Sequence, residues 1–240
     1  MKENFGQLSR LVEDGAAPQG NRSHAVSEEI KHGLMTGVFR PGDKLTIRDL
    51  AANLGVSPTP VREALVQLAA EGALAQVAGR SFVVPELTAE SYQDLRRLRV
   101  LIEGEGAGRA AENATKALID RLAHVHEELI AAKAAENYKA AMVWNQRFHL
   151  ELCAAANSPR LLRIVEGLWL QMGPILNILY ERHDVPATPV RHCHLTVIDA
   201  LVARDAERAR AAIQEDISGS APAILNNLDY QHTEQSRGRK

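Results

Sequence analysis

A mainly α protein is expected, an N-terminal winged helix-turn-helix followed by an all-helical antiparallel bundle, and three observations in the 240-residue sequence carry that expectation. Between Arg40 and Leu74 two short helical patterns, each with one apolar face, flank a glycine turn. Two β-rich runs follow around Ala78-Gly79-Arg80. From Thr88 onward strand signals vanish, and alanine and leucine recur with helical period. The change of character near Pro85-Glu86-Leu87 divides the chain into a winged module over residues 22–86 and a helical domain over 87–229, set between a flexible leader (1–21) and a flexible tail (230–240).

In the first helix of the pair Ile47, Leu50, Ala51 and Leu54 share a face; in the second, Val61, Ala64, Leu65 and Leu68 do. Gly55 supplies the positive φ that ends the first helix, and Ser57 is placed to cap the second. Pro58 falls at the first helical position, where a missing N–H costs nothing. Gly72 closes that helix, and Ala73–Val77 and Ser81–Val84 read as the two strands of a wing with Arg80 at its tip. Helices then span about Ala89–Ala111, Lys116–Ala135, Tyr138–Ala155, Pro159–Glu181, Pro189–Ala203 and Ala206–Asn227, with Pro174 kinking the fourth.

The net charge is −2, and acidic and basic residues nearly balance over residues 1–88. Attraction to nucleic acid must therefore come from a local arginine surface rather than from overall charge. No run approaches the ~20 apolar residues that span a bilayer, and the polar N-terminus does not read as a signal peptide, so a cytoplasmic location is expected. Cys153 and Cys193 match no zinc-finger or redox spacing and read as reduced residues.

In a helix-turn-helix the second helix enters the major groove, with side chains near its N-terminus reaching base edges. Ser57, Thr59 and Arg62 stand there. Arg62 carries a planar fork that fits guanine O6 and N7, whereas Thr59 suits a phosphate or a base. Arg48 on the first helix is placed for backbone phosphate, and Arg80 for the adjacent minor groove. Paired amphipathic helices with a glycine turn also occur in proteins that never meet DNA.

The residue string narrows this choice. Pro41-Gly42, Leu50-Ala51, Gly55-Val56-Ser57, Thr59-Pro60-Val61-Arg62-Glu63-Ala64-Leu65 and Gly72 resemble the DNA-binding domain of the GntR superfamily of bacterial transcription regulators. Pro58 stands where that family usually carries arginine, and Ser81 where it carries glycine at the wing tip. The resemblance thus implies DNA binding with an operator preference of its own.

In the helical domain Asn145 and His149 are four apart and project from one helix face. His194 and Asp216 lie on later helices that short connections would pack antiparallel, so all four can converge inside a bundle as ligands for Zn²⁺, Ni²⁺ or Mn²⁺. A histidine beside Phe148, Leu150 and Leu152 equally reads as a hydrogen-bonded core residue. Residues from Leu95 to Ile217 resemble the FCD ligand-binding domain of the FadR-type branch, whose metal-binding members carry Asp-x-x-x-His, a later His and a final His. Here Asn145 replaces the aspartate and Asp216 falls where the last histidine would. His192 is a rival to His194 as a ligand, although two residues away it would face elsewhere on a helix.

The same resemblance implies that Arg99 and Glu103 line an effector cavity, where Arg99 would hold a carboxylate bidentately. Taken together, the resemblances imply a homodimeric, metabolite-responsive transcription regulator, a repressor by family habit. It would bind a pseudo-palindromic double-stranded DNA operator and respond to a small carboxylate effector, with a divalent metal and no organic cofactor. The alternative is a helical-bundle metalloenzyme fused to a DNA-binding module, although neither a Glu-x-x-His spacing nor a nucleophile with an evident base is visible.

Overall fold

The computed structural model describes residues 19–77, 81–181 and 192–228. The chain divides into two compact units, one made of residues up to Glu86 together with Leu170–Asn177, the other of Leu87–Trp169 and the residues from Ile178 onward. The fold is mainly α with one small antiparallel sheet, in agreement with the sequence.

The first unit runs α1 (Gln19–Met35), β1 (Lys44–Thr46), α2 (Ile47–Leu54), α3 (Pro58–Ala70), β2 (Ala75–Val77) and β3 (Ser81–Val83). Two of these are additions to the sequence reading. α1 begins inside the stretch expected to be a leader, and its Val26, Ile30 and Leu34 are fully buried in an i, i+4, i+8 seam. β1 is three residues long, too short for alternation to stand out, yet it pairs with β3 and buries Leu45. The sheet order is β1-β3-β2, so the wing is tied to the strand that runs directly into α2. Thr46 ends β1 and caps α2, its hydroxyl accepting the Asp49 N–H at 3.1 Å and donating to the Asp49 carboxylate at 2.7 Å.

At the corner Gly55 sits at φ 64°, and the amides of Gly55 and Val56 both return to the Ala51 carbonyl. Pro58 opens α3 as expected. Ser57 holds the cap position by its backbone, but its side chain makes no capping bond, which corrects the expectation. A cap hydroxyl takes the N–H two or three residues on, and the third residue here is Pro60, which has none. The hydroxyl is left exposed at the tip of α3.

The second unit is the bundle, built from α4 (Ala89–Glu112), α5 (Lys116–Ala134), α6 (Tyr138–Ala154), the start of α7 (Pro159–Glu181), α8 (Cys193–Ala203) and α9 (Ala206–Gly219). Four of these helices start at polar caps, where Thr88, Thr115, Asn137 and Asp205 each accept the N–H three residues on. α7 remains helical through Pro174. The last expected helix is interrupted at Ser220, with residues 221–228 helical beyond it.

α4 lies along α9, and small residues set how closely. A Cβ on Gly104 would stand 2.7 Å from Gln214 Nε2, and one on Gly108 would stand 3.4 Å from the Ala206 carbonyl. On another side of α4, a Cβ on Gly106 would meet Cys153 Sγ of α6 at 3.0 Å. Glu103, the residue before the glycine run, is reached by His149 of α6. Around it the core packs Leu118, Leu122 and Val125 of α5, Phe148 and Leu152 of α6, Val197 and Leu201 of α8, and Ile213 and Ile217 of α9.

Candidate DNA-contact surface and buried histidine centre

On the winged unit Arg48, Ser57, Thr59 and Arg62 are exposed, while Leu50, Pro60, Val61, Leu65 and Leu68 on the same two helices are buried. The apolar faces therefore lock α2 and α3 together and leave these polar groups outward. Thr59 and Arg62, three apart in the first turns of α3, share a face. Arg80 lies outside the described residues, so the wing tip adds nothing to this picture.

The second site is internal. α6 carries His149, whose Nδ1 lies 2.7 Å from Glu103 Oε2 and whose Nε2 lies 3.3 Å from Asp216 Oδ2. The other Glu103 oxygen accepts Arg99 Nε at 2.6 Å, and the Arg99 guanidinium lies 4.4 Å over the Trp169 ring. Arg99, Glu103 and His149 are buried, Glu103 completely. Each Glu103 oxygen has a partner, which is the condition under which a buried charge is tolerated. Glu103 was expected to line an effector cavity; instead both its oxygens are engaged, and it orients Arg99 and His149.

His194 from α8 stacks on Phe148, rings 3.7 Å apart and 3° from parallel. Its Nε2 lies 3.8 Å from Asp216 Oδ2, and among the described residues neither ring nitrogen has a hydrogen-bond partner although the residue is fully buried. One ligand atom from each of His149, His194 and Asp216 lies within 4.8 Å of the others. Three of the four sequence-predicted ligands thus meet, and Asn145 stands half-buried one turn before His149 on α6.

Burial opposes every charge here, and the neighbours decide which survive. Burial raises the Glu103 carboxyl, but the Arg99 charge and His149 outweigh it and pull it down to about 2. Burial likewise raises Asp216, and His194 and His149 outweigh it, holding the acid well below the usual carboxylate range. For His149, burial lowers the imidazole, yet Glu103 and Asp216 prevail and the net shift is upward. Burial also lowers His194, and the upward pull of Asp216 does not overcome it, so the net shift is downward.

Three residues of this region, His126, Lys133 and Trp169, escaped the sequence reading, and a fourth, His192, stands elsewhere than expected. His126 occupies the buried stripe of α5 with Leu122, Val125 and Leu129, and burial with the nearby His194 takes it down to about 4. A histidine in an otherwise leucine register was the available signal. The expectation that His192 faces away from His194 is corrected. It is the cap of α8, at φ −67° and ψ 137°, so helical spacing does not govern it and its ring lies 4.5 Å from that of His194. Burial and His194 bring it to about 3. Ligand atoms of His126, His192 and His194 also lie within 4.8 Å of one another.

A helix-turn-helix with an outward arginine and a small antiparallel wing, carried in one chain with a helical unit that holds a buried polar centre, defines a DNA-binding transcription regulator with a second, helical domain. Residues 22–84 match the family described as bacterial regulatory proteins, gntR family, and residues 94–219 match the FCD domain. The chain is 34% identical over 193 residues to the HTH-type transcriptional regulator McbR of Escherichia coli K12, covering 79% of this chain and 86% of the relative. It is 29% identical over 179 residues to a probable D-xylose utilization operon transcriptional repressor of Paenarthrobacter nicotinovorans, covering 75% and 78%. The solved structure of E. coli McbR/YncC matches with a TM-score of 0.80 at 31% identity, covering 85% of this chain and 97% of that one. The chain belongs to the GntR family of bacterial transcription regulators and carries an FCD domain. Among the described residues no helix is long and apolar enough to cross a membrane.

Proposed function

We propose that the protein is a cytoplasmic, metabolite-responsive repressor that binds a pseudo-palindromic operator as a homodimer, its DNA affinity set by a small organic acid bound beside a divalent metal in the helical unit. One observation carries the sensor half of this reading. The short contact between His149 Nδ1 and Glu103 places the ring proton on Nδ1, which leaves the Nε2 lone pair facing the Asp216 carboxylate at 3.3 Å. Two electron-rich atoms at that distance call for a proton or a cation between them. His194, buried with both nitrogens unpartnered, adds a third donor to the same point.

His149, His194 and Asp216, with Asn145 beside them, are the residues that would hold Zn²⁺, Ni²⁺ or Mn²⁺, and such an ion supplies positive charge to which a carboxylate oxygen binds. Glu103 fixes the His149 tautomer from behind. Arg99, held by its Nε to Glu103 with its guanidinium over Trp169, would offer its terminal NH₂ groups to a carboxylate. Arg62, Thr59 and Ser57 present α3 to bases and phosphates, and Arg48 fixes register. An effector alters DNA occupancy only through different affinities for the DNA-competent and incompetent states, typically ~1 to 3 kcal/mol.

Fluorescence anisotropy with the DNA upstream of the protein's own gene and a scrambled control tests the DNA half. Selective binding that Arg62→Ala abolishes supports it; binding indifferent to sequence and to Arg62 overturns it. Metal content of untagged protein, compared with His149→Ala, tests the sensor half, and equal metal in both removes His149 from the centre.

A further inference from the structure

Two N–H donors face the two ring nitrogens of His192. The His194 main-chain N–H faces Nδ1 at 3.3 Å, and the Lys133 ammonium faces Nε2 at 3.4 Å. A neutral imidazole has one N–H and one lone pair, so the ring's own proton must oppose one of these two donors whichever tautomer it takes. Protonating the ring makes both contacts donor against donor. With Lys133 charged, neither tautomer of the ring relieves the conflict.

The helix start selects which contact carries it. Nδ1 is the acceptor that caps α8, so the ring proton belongs on Nε2, pointing at the same space as Lys133 Nζ. Acceptors are scarce around that space. His126, two turns before Lys133 on the same face of α5, has an unpartnered Nδ1, and both nitrogens of His194 lack partners among the described residues. The acid that acts on Lys133 is Asp216, whose carboxylate already contacts His149. A metal ion at His126, His192 and His194 leaves the conflict in place, because it needs the Nε2 lone pair while Nδ1 is already serving as acceptor, and it would lie against an ammonium. An oxygen anion resolves it: one oxygen receives both His192 Nε2–H and Lys133 Nζ–H, while Nδ1 keeps its cap bond.

We infer that Lys133 and His192 form an oxyanion-binding corner next to the His149–His194–Asp216 centre, and that it takes the second carboxylate of a short dicarboxylate whose first carboxylate binds at the metal and Arg99. This inference rests on the carboxylate effector proposed above and names its class. The corner adjoins the metal centre through His194, whose ring lies 4.5 Å from that of His192. A dicarboxylate of few carbons matches that spacing, and a long-chain acid does not. An uncharged Lys133 accepting from His192 Nε2–H would also settle the conflict with no ligand present, and the experiment must separate the two.

Succinate and butyrate, equal in chain length but differing by one carboxylate, are the probes, with inorganic phosphate as a third, titrated calorimetrically into the metal-loaded full-length protein. Succinate is expected to bind at least about tenfold more tightly than butyrate, as for one added charge-assisted contact. Lys133→Gln should erase that advantage and leave butyrate unchanged, and Lys133→Arg should retain most of it. His192→Asn keeps an acceptor to cap α8 while removing the Nε2–H, so it should fold and also lose the preference. Equal binding of the two acids, or a preference untouched by Lys133→Gln, overturns the corner while leaving the Arg99 reading intact. Stabilisation by phosphate that depends on Lys133, without any succinate advantage, would assign the corner to a free anion and overturn the dicarboxylate. Absence of binding by either acid overturns both readings.

Discussion

The winged unit and the helical unit place their functional groups on opposite sides of the boundary with solvent. In the winged unit Arg48, Thr59 and Arg62 are exposed over a scaffold of Leu50, Val61, Leu65 and Leu68 that is apolar throughout. In the helical unit Arg99, Glu103, His149 and His194 are inside, and the apolar core is arranged around them. A reading surface can therefore be rewritten without disturbing the fold beneath it. A centre made of buried charges cannot, because each group is also a structural partner of the next.

The strongest challenge to that contrast is Glu103→Ala. It strands a buried guanidinium and removes the partner of His149 Nδ1, and breaking a buried pair from one side costs about 3–5 kcal/mol. Urea unfolding followed by circular dichroism should show a loss of that order; a loss below about 1 kcal/mol would mean that the centre is not structurally coupled. The isosteric Glu103→Gln keeps the shape and removes the charge. On the proposed metal reading, affinity for the ion should fall roughly 10–100-fold, as expected when the partner of a ligating histidine is lost. Metal titration of the folded variant reads this directly, and wild-type affinity would detach Glu103 from the centre.

Arg62→Ala examines the other side of the contrast. Loss of a base-reading arginine costs about 1–3 kcal/mol of discrimination at the operator, whereas an exposed substitution shifts stability by no more than about 0.5 kcal/mol. Anisotropy and thermal melting on the same preparation separate the two effects. A large drop in melting temperature would show Arg62 to be a structural residue and would erase the distinction between the units.

The same boundary explains what could be read from the sequence. The α2–α3 corner is encoded locally: Gly55 supplies the left-handed turn and Pro58 the helix start, each from its own chemistry. The absent Ser57 cap bond was equally local, since Pro60 has no N–H to give. The bundle helices were visible through their polar caps and apolar periodicity. β1 and α1 were not, the first because three residues cannot show a period, the second because its seam of Val26, Ile30 and Leu34 is diluted by polar neighbours. In the centre, the Asn145–His149 spacing was legible because both residues are on one helix. The place of Glu103 was not, because its partner His149 lies 46 residues away and is brought to it by the packing of α4 against α6. His192 was misplaced because spacing rules for helices were applied to a residue whose backbone is extended.

A smaller effect sharpens the comparison within one residue type. Glu103 and Glu29 are both buried glutamates, yet their acidities move in opposite directions. Arg99 and His149 overcome the cost of burial for Glu103. Glu29 on α1 has an unpartnered Oε2, and burial raises its carboxyl above the ordinary value of 4.5. In the interval above 4.5 the folded protein holds this proton more tightly than the unfolded chain, so the residue favours folding at acid pH and loses that contribution as pH rises through the folded value. At neutral pH it is a charge kept from water without full compensation. Glu29→Gln should therefore stabilise the protein by about 0.5–1 kcal/mol at pH 7, with the gain shrinking toward pH 4. Urea midpoints of both proteins at the two pH values measure the difference. A variant less stable than wild type at pH 7 would show that Glu29 is held by a favourable interaction after all, and would place a second buried, paired acid in the unit whose function otherwise resides at its surface.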